Sequence, residues 1–290
     1  MDALLHQIVA GIAMGGVYGA LGLAAVIVYQ STHHLNFAQG EMAMFSTYVA
    51  WMLIQARVPA WMAVALTMAI AFVLGLLVQR LVIHRARFAP ALTTVLLFIA
   101  LLVIFNSLAG WLFGYTARAF PSPFGPGRAF GSTLFSRHEL GSIAVTLALV
   151  ALLYAFFNFT RLGLAMRATA HNPTSARLVG IRVEWMFAVG WGMAAAIGSI
   201  AGILVAPVVY LDPGMMSGVL IYGFAAALLG GLDNPWGAMV GGILVGVLEN
   251  VLGAYVIGTE LKLSVALALI IGVLLFKPSG LFGRTTVSRV

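Results

Sequence analysis

The sequence predicts an all-α polytopic membrane protein, and three observations predict it. Hydrophobic residues make up 62% of the 290 and charged residues only 8%, against roughly 45–50% and 25% in soluble domains. Fifteen Lys or Arg and eight Asp or Glu are too few to cover a globule of this size, and the mean hydropathy is +1.06. The apolar residues fall in long continuous runs, not in the alternating segments that mark a β-barrel. At about 20 apolar residues per crossing, the chain has room for about eight to nine spans (range eight to ten), one of which, 36–55, either crosses or is broken or re-entrant. A water-soluble, disordered or collagen-like chain is excluded. The whole chain, 1–290, is expected to form a single transmembrane domain.

The first run, 4–29, follows a start without Lys or Arg, which is the wrong flank for a cleaved secretory segment, so it is expected to be a retained span. Gly11, Gly15 and Gly19 form a small-xxx-small row along it, as do Gly237/Gly241 and Gly242/Gly246 later; such rows let helix backbones approach and predict helix–helix contact. A polar break at 30–34 contains His33 and His34. Being adjacent, they point to different helix faces and read as an interfacial polar pair, not a metal site. The second run, 36–55, either crosses or re-enters, and that choice sets the side of Met1. The third run is 59–78, followed by a basic loop with Arg80, His84, Arg85 and Arg87. The fourth is 90–113, and a polar segment rich in Gly, Pro, Ser and Arg fills 114–139. The fifth is 140–159, and a second basic segment fills 161–184. The sixth, 185–210, ends at the breaker Asp212-Pro213-Gly214. A shorter run, 217–229, leads to a turn through Gly231, Asp233, Asn234 and Pro235. Two last runs, 237–257 and 263–276, precede a basic tail from Lys277.

Ten of the fifteen basic residues lie in the 80–88 loop, the 161–184 segment and the tail. The excess of Lys and Arg marks the cytoplasmic side, so these segments and the C-terminus are expected there, in a bacterial inner membrane. The 114–139 loop is then external, although it carries Arg118, Arg128 and Arg137. The net charge of +7 is read as this topology signal. No basic stripe interleaved with aromatics points to nucleic acid.

Enzymatic constellations are missing. There is no cysteine, hence no disulfide or thiolate chemistry. A phosphate-binding loop needs G-x-x-x-x-G-K-[ST], and the only lysines, Lys262 and Lys277, precede Leu263 and Pro278. No zinc-protease His-Glu-x-x-His and no Gly-x-Ser-x-Gly elbow occurs. No cofactor or metal is expected in this chain.

Polar groups within the apolar runs are functional candidates, because an ionisable group at mid-membrane costs at least about 2.5–3.5 kcal/mol on insertion scales. Asn36, Gln39 and Glu41 open the second run, Asn106 lies inside the fourth and Glu249 inside the eighth. Asn36 can be an N-cap with Glu41 complementing the helix dipole. Equally, 36–41 can be the break in a discontinuous helix whose polar groups line a solute path, and the two readings are compatible. For Glu249 and Asn106, holding helices together is favoured over touching solute.

In the 161–184 segment, Asn172 before Pro173 marks a helix start and Gly180 a helix stop. Two short helices follow, either lying on the bilayer or docking a cytoplasmic partner. Their order favours docking.

These motifs resemble the permease subunits of the branched-chain amino-acid type of ABC importer, more closely the first of the two paralogous permeases. The first span from Gly11 to Leu21 resembles the family's opening helix. Asn36-Phe37-Ala38-Gln39-Gly40-Glu41 is similar to its Asn-Phe-Ala-His-Gly-Glu signature, with Gln39 in place of His. Gly163, Met166-Arg167-Ala168, Asn172-Pro173 and Ala176-Arg177 are similar to its cytoplasmic loop. Gly230-Gly231 through Gly241-Gly242 resembles a Gly-rich turn and helix, with Asp233-Asn234 replacing a Gly-Ser-type turn. Lys277-Pro278-Ser279-Gly280-Leu281-Phe282-Gly283 resembles the family's ending. The resemblance implies that the docking segment couples to an ATPase. Two ATPase subunits, carrying ATP and magnesium, a second permease and a periplasmic solute-binding protein would complete the importer, with solute delivered to the 114–139 and 211–216 loops. Branched-chain or other hydrophobic amino acids are the expected solutes, with urea, short amides or small organic acids as alternatives. Outside this family, an ion-coupled secondary transporter and a purely structural subunit are the competing readings.

Overall fold

The computed structural model describes residues 2–86, 88–129 and 135–283. Eleven α-helices are found among them and no strand beyond isolated bridges. They are α1 (Asp2–Thr32), α2 (Gln39–Gln55), α3 (Ala60–Val78), α4 (Ala91–Phe113), α5 (Arg137–Phe159), α6 (Arg161–His171), α7 (Pro173–Leu178), α8 (Val183–Val209), α9 (Met216–Gly230), α10 (Pro235–Tyr255) and α11 (Lys262–Phe276). A π-helical turn (Gln79–Ile83) and a 3₁₀ turn (His84–Ala86) extend α3. The all-α polytopic expectation holds. By length and composition six helices can cross a membrane: α1, α3 with its extension, α4, α5, α8 and α10. The helices α9 and α11, at 15 residues each, are apolar but shorter, and α2 has 17 residues. At 1.5 Å per residue these three reach roughly 22–26 Å, below the ~30 Å hydrocarbon core. The sequence expectation of eight to nine spans counts short helices together with full-length ones, because hydropathy runs do not report helix ends. Arg87, Arg284 and Arg289, used above for orientation, lie outside the described residues.

Helix ends explain the shifts in boundaries. Helix α5 starts at Arg137, not at 140, because Ser136 and Glu139 form a capping box. Glu139 N–H donates to Ser136 Oγ at 3.0 Å, and Ser136 N–H donates to Glu139 Oε2 at 2.9 Å. Helix α10 starts at Pro235 behind Asn234, whose Oδ1 accepts from the N–H groups of Trp236 and Gly237. Helix α8 ends at Val209, where Tyr210 takes a φ of +66°.

The contacts divide the chain into two compact units, each discontinuous in sequence. One comprises 1–26, 122–144 and 217–290. Its centre is the face shared by the start of α1 and α10, where the two glycine rows meet. A Cβ on Gly15 would lie 2.6 Å from Gly242 O, one on Gly246 2.5 Å from Gly11 O, and one on Gly19 3.0 Å from Met239 Cα. Glycine is required here because the helix backbones touch directly. At the end of the unit, the Lys277–Gly283 motif folds onto the Gly230–Asn234 turn. Leu281 N–H donates to Leu229 O at 2.7 Å and Asn234 Nδ2 to Phe282 O at 3.3 Å. Two motifs far apart in sequence are thereby one structural feature.

The other unit comprises 27–121 and 145–216. Helix α8 is its axis, packed along α3 and α2. Small residues again set the spacing: Gly75 lies against the Trp191 backbone, Gly192 against Phe72 and Gly202 against Ala43 and Thr47. Trp191, Tyr48 and Phe98 are its largest fully buried side chains. The exposed sides of α3, α4 and α5 carry large apolar residues such as Leu77, Ile104 and Leu152, as a lipid-facing surface requires.

Gly242→Leu is expected to destabilise the α1–α10 contact by about 1–3 kcal/mol or more, as overpacking does. Gly272→Leu on α11, where no atom lies within 4 Å of the added Cβ, is expected to be neutral. Thermal melting of the two purified variants, followed by size-exclusion chromatography, checks the contrast.

Candidate functional site

The break before α2 is built by Asn36, but not as a helix cap. The N-cap position is Ala38, which makes no side-chain cap, and the helix starts at Gln39. Asn36 Oδ1 instead accepts from Ala38 N–H at 3.0 Å, an Asx turn that aims the chain into the helix. This corrects the N-cap expectation: Asn36 stands two residues before the N-cap position, so its side chain meets Ala38 N–H and not the N–H groups of α2. Asn36 is fully buried.

Gln39, 1% exposed, follows at the first residue of α2 and donates through Nε2 to Ala194 O of α8 at 3.0 Å. Its close fit needs Gly198, where a Cβ would stand 2.8 Å from that nitrogen. Glu41 stands two residues on, in the same first turn, and is also buried. Its Oε2 accepts from Asn106 Nδ2 of α4 at 3.1 Å, and the same nitrogen donates to Pro213 O at 2.7 Å. Asn106 thus joins α2, α4 and the breaker after α8 at one point.

Four of the five sequence-selected polar residues therefore converge in one unit: Asn36, Gln39, Glu41 and Asn106. Glu249 belongs to the other. There it lies 3.9 Å from Lys262 Nζ, with the Tyr18 and Tyr222 side chains close to its carboxyl, and Oε2 has no hydrogen-bond partner. Tyr18 and Tyr222 are stacked at 4.7 Å, and Lys262 also donates to Asn250 Oδ1 at 2.9 Å. Asn106 and Glu249 thus each contact groups on other helices.

The structure adds residues that the sequence did not single out. Tyr48 stacks on Phe113 at 4.4 Å and its hydroxyl is buried without a partner. Arg118 lies 4.5 Å over the Trp51 ring, donates to Phe113 O and forms a backbone bridge with Leu211. The contacts of Arg118 are made within the protein, which lessens its weight as a topology signal. A tyrosine in an apolar run gives no sequence signal, and an arginine in a polar loop gives a misleading one.

The two short helices foreseen in 161–184 are present. Thr160 caps α6 by accepting from Gly163 N–H, Asn172 caps α7 by accepting from Ser175 N–H with Pro173 behind it, and Gly180 ends α7 at φ +83°. Gly163 lies against the Phe156–Phe157 backbone of α5. Met166 is buried against Met186, Val189, Phe72 and Phe157. Ala176 is buried as well. Gly163, Met166 and Ala176 thus anchor the segment, while Arg167, Asn172 and Arg177 face outward and Ala168 and Pro173 are half-buried. Arg167 bonds Asn158 Oδ1 and Arg177 pairs with Glu184 at 3.0 Å. Leu164, Leu178 and Val179 are exposed apolar groups on the same segment.

Six helices long and apolar enough to cross a bilayer, a glutamate–asparagine pair between α2 and α4, and a pair of short capped helices after α5 fit the class of a membrane permease. Residues 7–274 match the family described as branched-chain amino acid transport system / permease component. The chain belongs to this family and is a permease subunit of an ABC importer. It is 31% identical to the high-affinity branched-chain amino acid transport system permease protein LivH of Salmonella typhimurium, covering 99% of this chain and 97% of that one. It is 29% identical to BraD of Pseudomonas aeruginosa, covering 99% and 98%. It is 26% identical to the ribose import permease protein RbsC of Escherichia coli, covering 80% and 72%. No solved structure matches it.

Asn106→Leu is expected to lower stability by about 0.6–1.7 kcal/mol, the range of such bonds in membrane proteins. Glu41→Gln, which keeps an acceptor for Asn106, is expected to cost less than Glu41→Leu. Melting curves of the three variants decide this.

Proposed function

We propose that the chain forms one half of the translocation path for branched-chain or other hydrophobic amino acids, driven by ATP hydrolysed on separate subunits. The observation that carries this is the full-length likeness to permeases whose names specify branched-chain amino acids. Urea, short amides or small organic acids are the alternative solutes. The path runs past Gln39, Glu41 and Asn106, with Asn36 holding the break that precedes them. Glu249 keeps its place beside Tyr18, Tyr222 and Lys262 as a helix-binding group.

In this reading the 161–184 segment is cytoplasmic, together with the 80–88 loop and the C-terminus, in a bacterial inner membrane. It docks on an ATPase subunit. Its buried anchors Gly163, Met166 and Ala176 make α6 and α7 move with α5 and α8, so a push on the segment is transmitted to α8 and, through the Gln39–Ala194 bond, to the start of α2. Arg167, Ala168, Asn172, Pro173 and Arg177, with Leu178 and Val179 beside them, form the contact surface. Two ATPases holding ATP and magnesium, a second paralogous permease and a periplasmic binding protein complete the machine. No cofactor is assigned to this chain.

The chain has no cysteine, so single cysteines are clean reporters. A cysteine replacing Leu178, 85% exposed, is expected to crosslink to a co-purified ATPase, whereas one replacing the buried Ala176 is not. No crosslink from Leu178, Ala168 or Leu164 removes the docking assignment. Vesicle uptake of leucine is expected to require ATP and to persist with a proton ionophore. Collapse of uptake by the ionophore at constant ATP favours an ion-coupled transporter.

A further inference from the structure

An open groove of about 520 Å³ lies in the first unit, between α11 and the end of α10. Its walls are apolar. Leu252 comes from α10, Val265 and Phe276 from α11, and Leu281 from the ending that folds back onto the Gly230–Asn234 turn. Among the described residues that line it, Lys277, directly after α11, is the one with a charge.

Gly272 opens the groove. Elsewhere in this unit glycines admit a neighbouring helix, and a Cβ on Gly15, Gly242 or Gly246 would stand less than 3.0 Å from backbone atoms. At Gly272 no atom lies within 4 Å of the added Cβ, so the missing side chain leaves space that no described part of the chain fills. Ala268, one turn earlier, is small and exposed on the same groove. Glycine inside a helix is conformationally costly, and here that cost creates a hollow instead of a helix contact.

Length and charge select the occupant. From Val265 to Lys277 the chain rises about 18 Å at 1.5 Å per residue, close to half of the ~30 Å hydrocarbon core. The groove is therefore about one leaflet long, with a cation at the end where α11 leaves its apolar run. Lys277 is exposed, and its long apolar stem lets the ammonium rise to the headgroup level. Its Nζ donates to Leu281 O at 3.1 Å, a neutral partner that leaves the charge uncompensated. A helix from another subunit matches the apolar hollow but not the cation at its end. A phospholipid with a negative headgroup matches both.

We propose that this groove binds an acyl chain of an anionic phospholipid, with the lipid phosphate on Lys277. The site lies outside the residues assigned to the translocation path and does not depend on which solute is carried. The lipid covers the seam between α10 and α11 and fastens α11, which at 15 residues is too short to span the core by itself.

The test is native mass spectrometry of the purified importer complex, supplied in detergent with phosphatidylglycerol or phosphatidylcholine. The wild-type complex is expected to retain phosphatidylglycerol about fivefold more than phosphatidylcholine, the preference that one lysine near an anionic headgroup gives. Lys277→Gln, which keeps a donor for Leu281 O, is expected to remove the preference, and Lys277→Arg to keep it. Gly272→Leu, whose added side chain enters the groove, is expected to bring phosphatidylglycerol down to the phosphatidylcholine level. Ile104→Phe, on the exposed side of α4, is expected to change nothing. Where Gly272→Leu fails to assemble, the two Lys277 variants decide. No preference in the wild-type complex, or a preference that survives Lys277→Gln, overturns the site. A cysteine replacing Ala268 that crosslinks to the second permease, in a complex that retains no phosphatidylglycerol, makes the groove a subunit interface and overturns the lipid assignment.

Discussion

Helices in a bilayer gain little from hiding apolar surface against one another, since lipid tails are as apolar as their side chains. What remains is direct backbone approach and the obligation to satisfy every polar group internally. The rest of this structure depends on that constraint. In the first unit it is met by glycine rows on α1 and α10 that bring the Gly15 and Gly242 backbones into contact. In the second it is met by Gly75, Gly192 and Gly202 along the α3–α8–α2 layer. Leucine-rich faces, which would build a soluble core, are turned outward.

The same constraint makes each intramembrane polar group legible as a joint. Asn106 closes α2, α4 and the 211–213 turn around a single nitrogen. Gln39 ties the start of α2 to the middle of α8. Both bonds start from the first turn of α2 and end on a neighbouring helix, Asn106 within α4 and Ala194 within α8.

Outside the helices the chain uses soluble-protein devices. Thr160, Asn172 and Gly180 cap two short helices, and Met166 pins them to α8. Capping and burial hold this segment in one shape against α5 and α8. The cavity next to it is lined by Arg177 and Gln79.

Composition and the spacing of apolar runs determined by themselves that this is a helical membrane protein, where most helices lie and which few residues are out of place in lipid. They did so because hydropathy and capping are local properties: Asn172-Pro173 and Gly180 act on their own neighbours. They also predicted contact for the glycine rows, since a bare helix face has one use in lipid. Tertiary structure decided what local chemistry cannot encode. It paired Asn106 with Glu41 across 65 residues, put Glu249 in the other unit, and folded the Lys277–Gly283 ending onto the Gly230–Asn234 turn. It turned Asn36 from a helix cap into an Asx turn, and it left Tyr48 and Gln79 as buried groups with unmet hydrogen bonds. Partnership across such distances depends on how helices cross, and crossing is set by the summed packing of whole faces, not by any residue's own sequence neighbours.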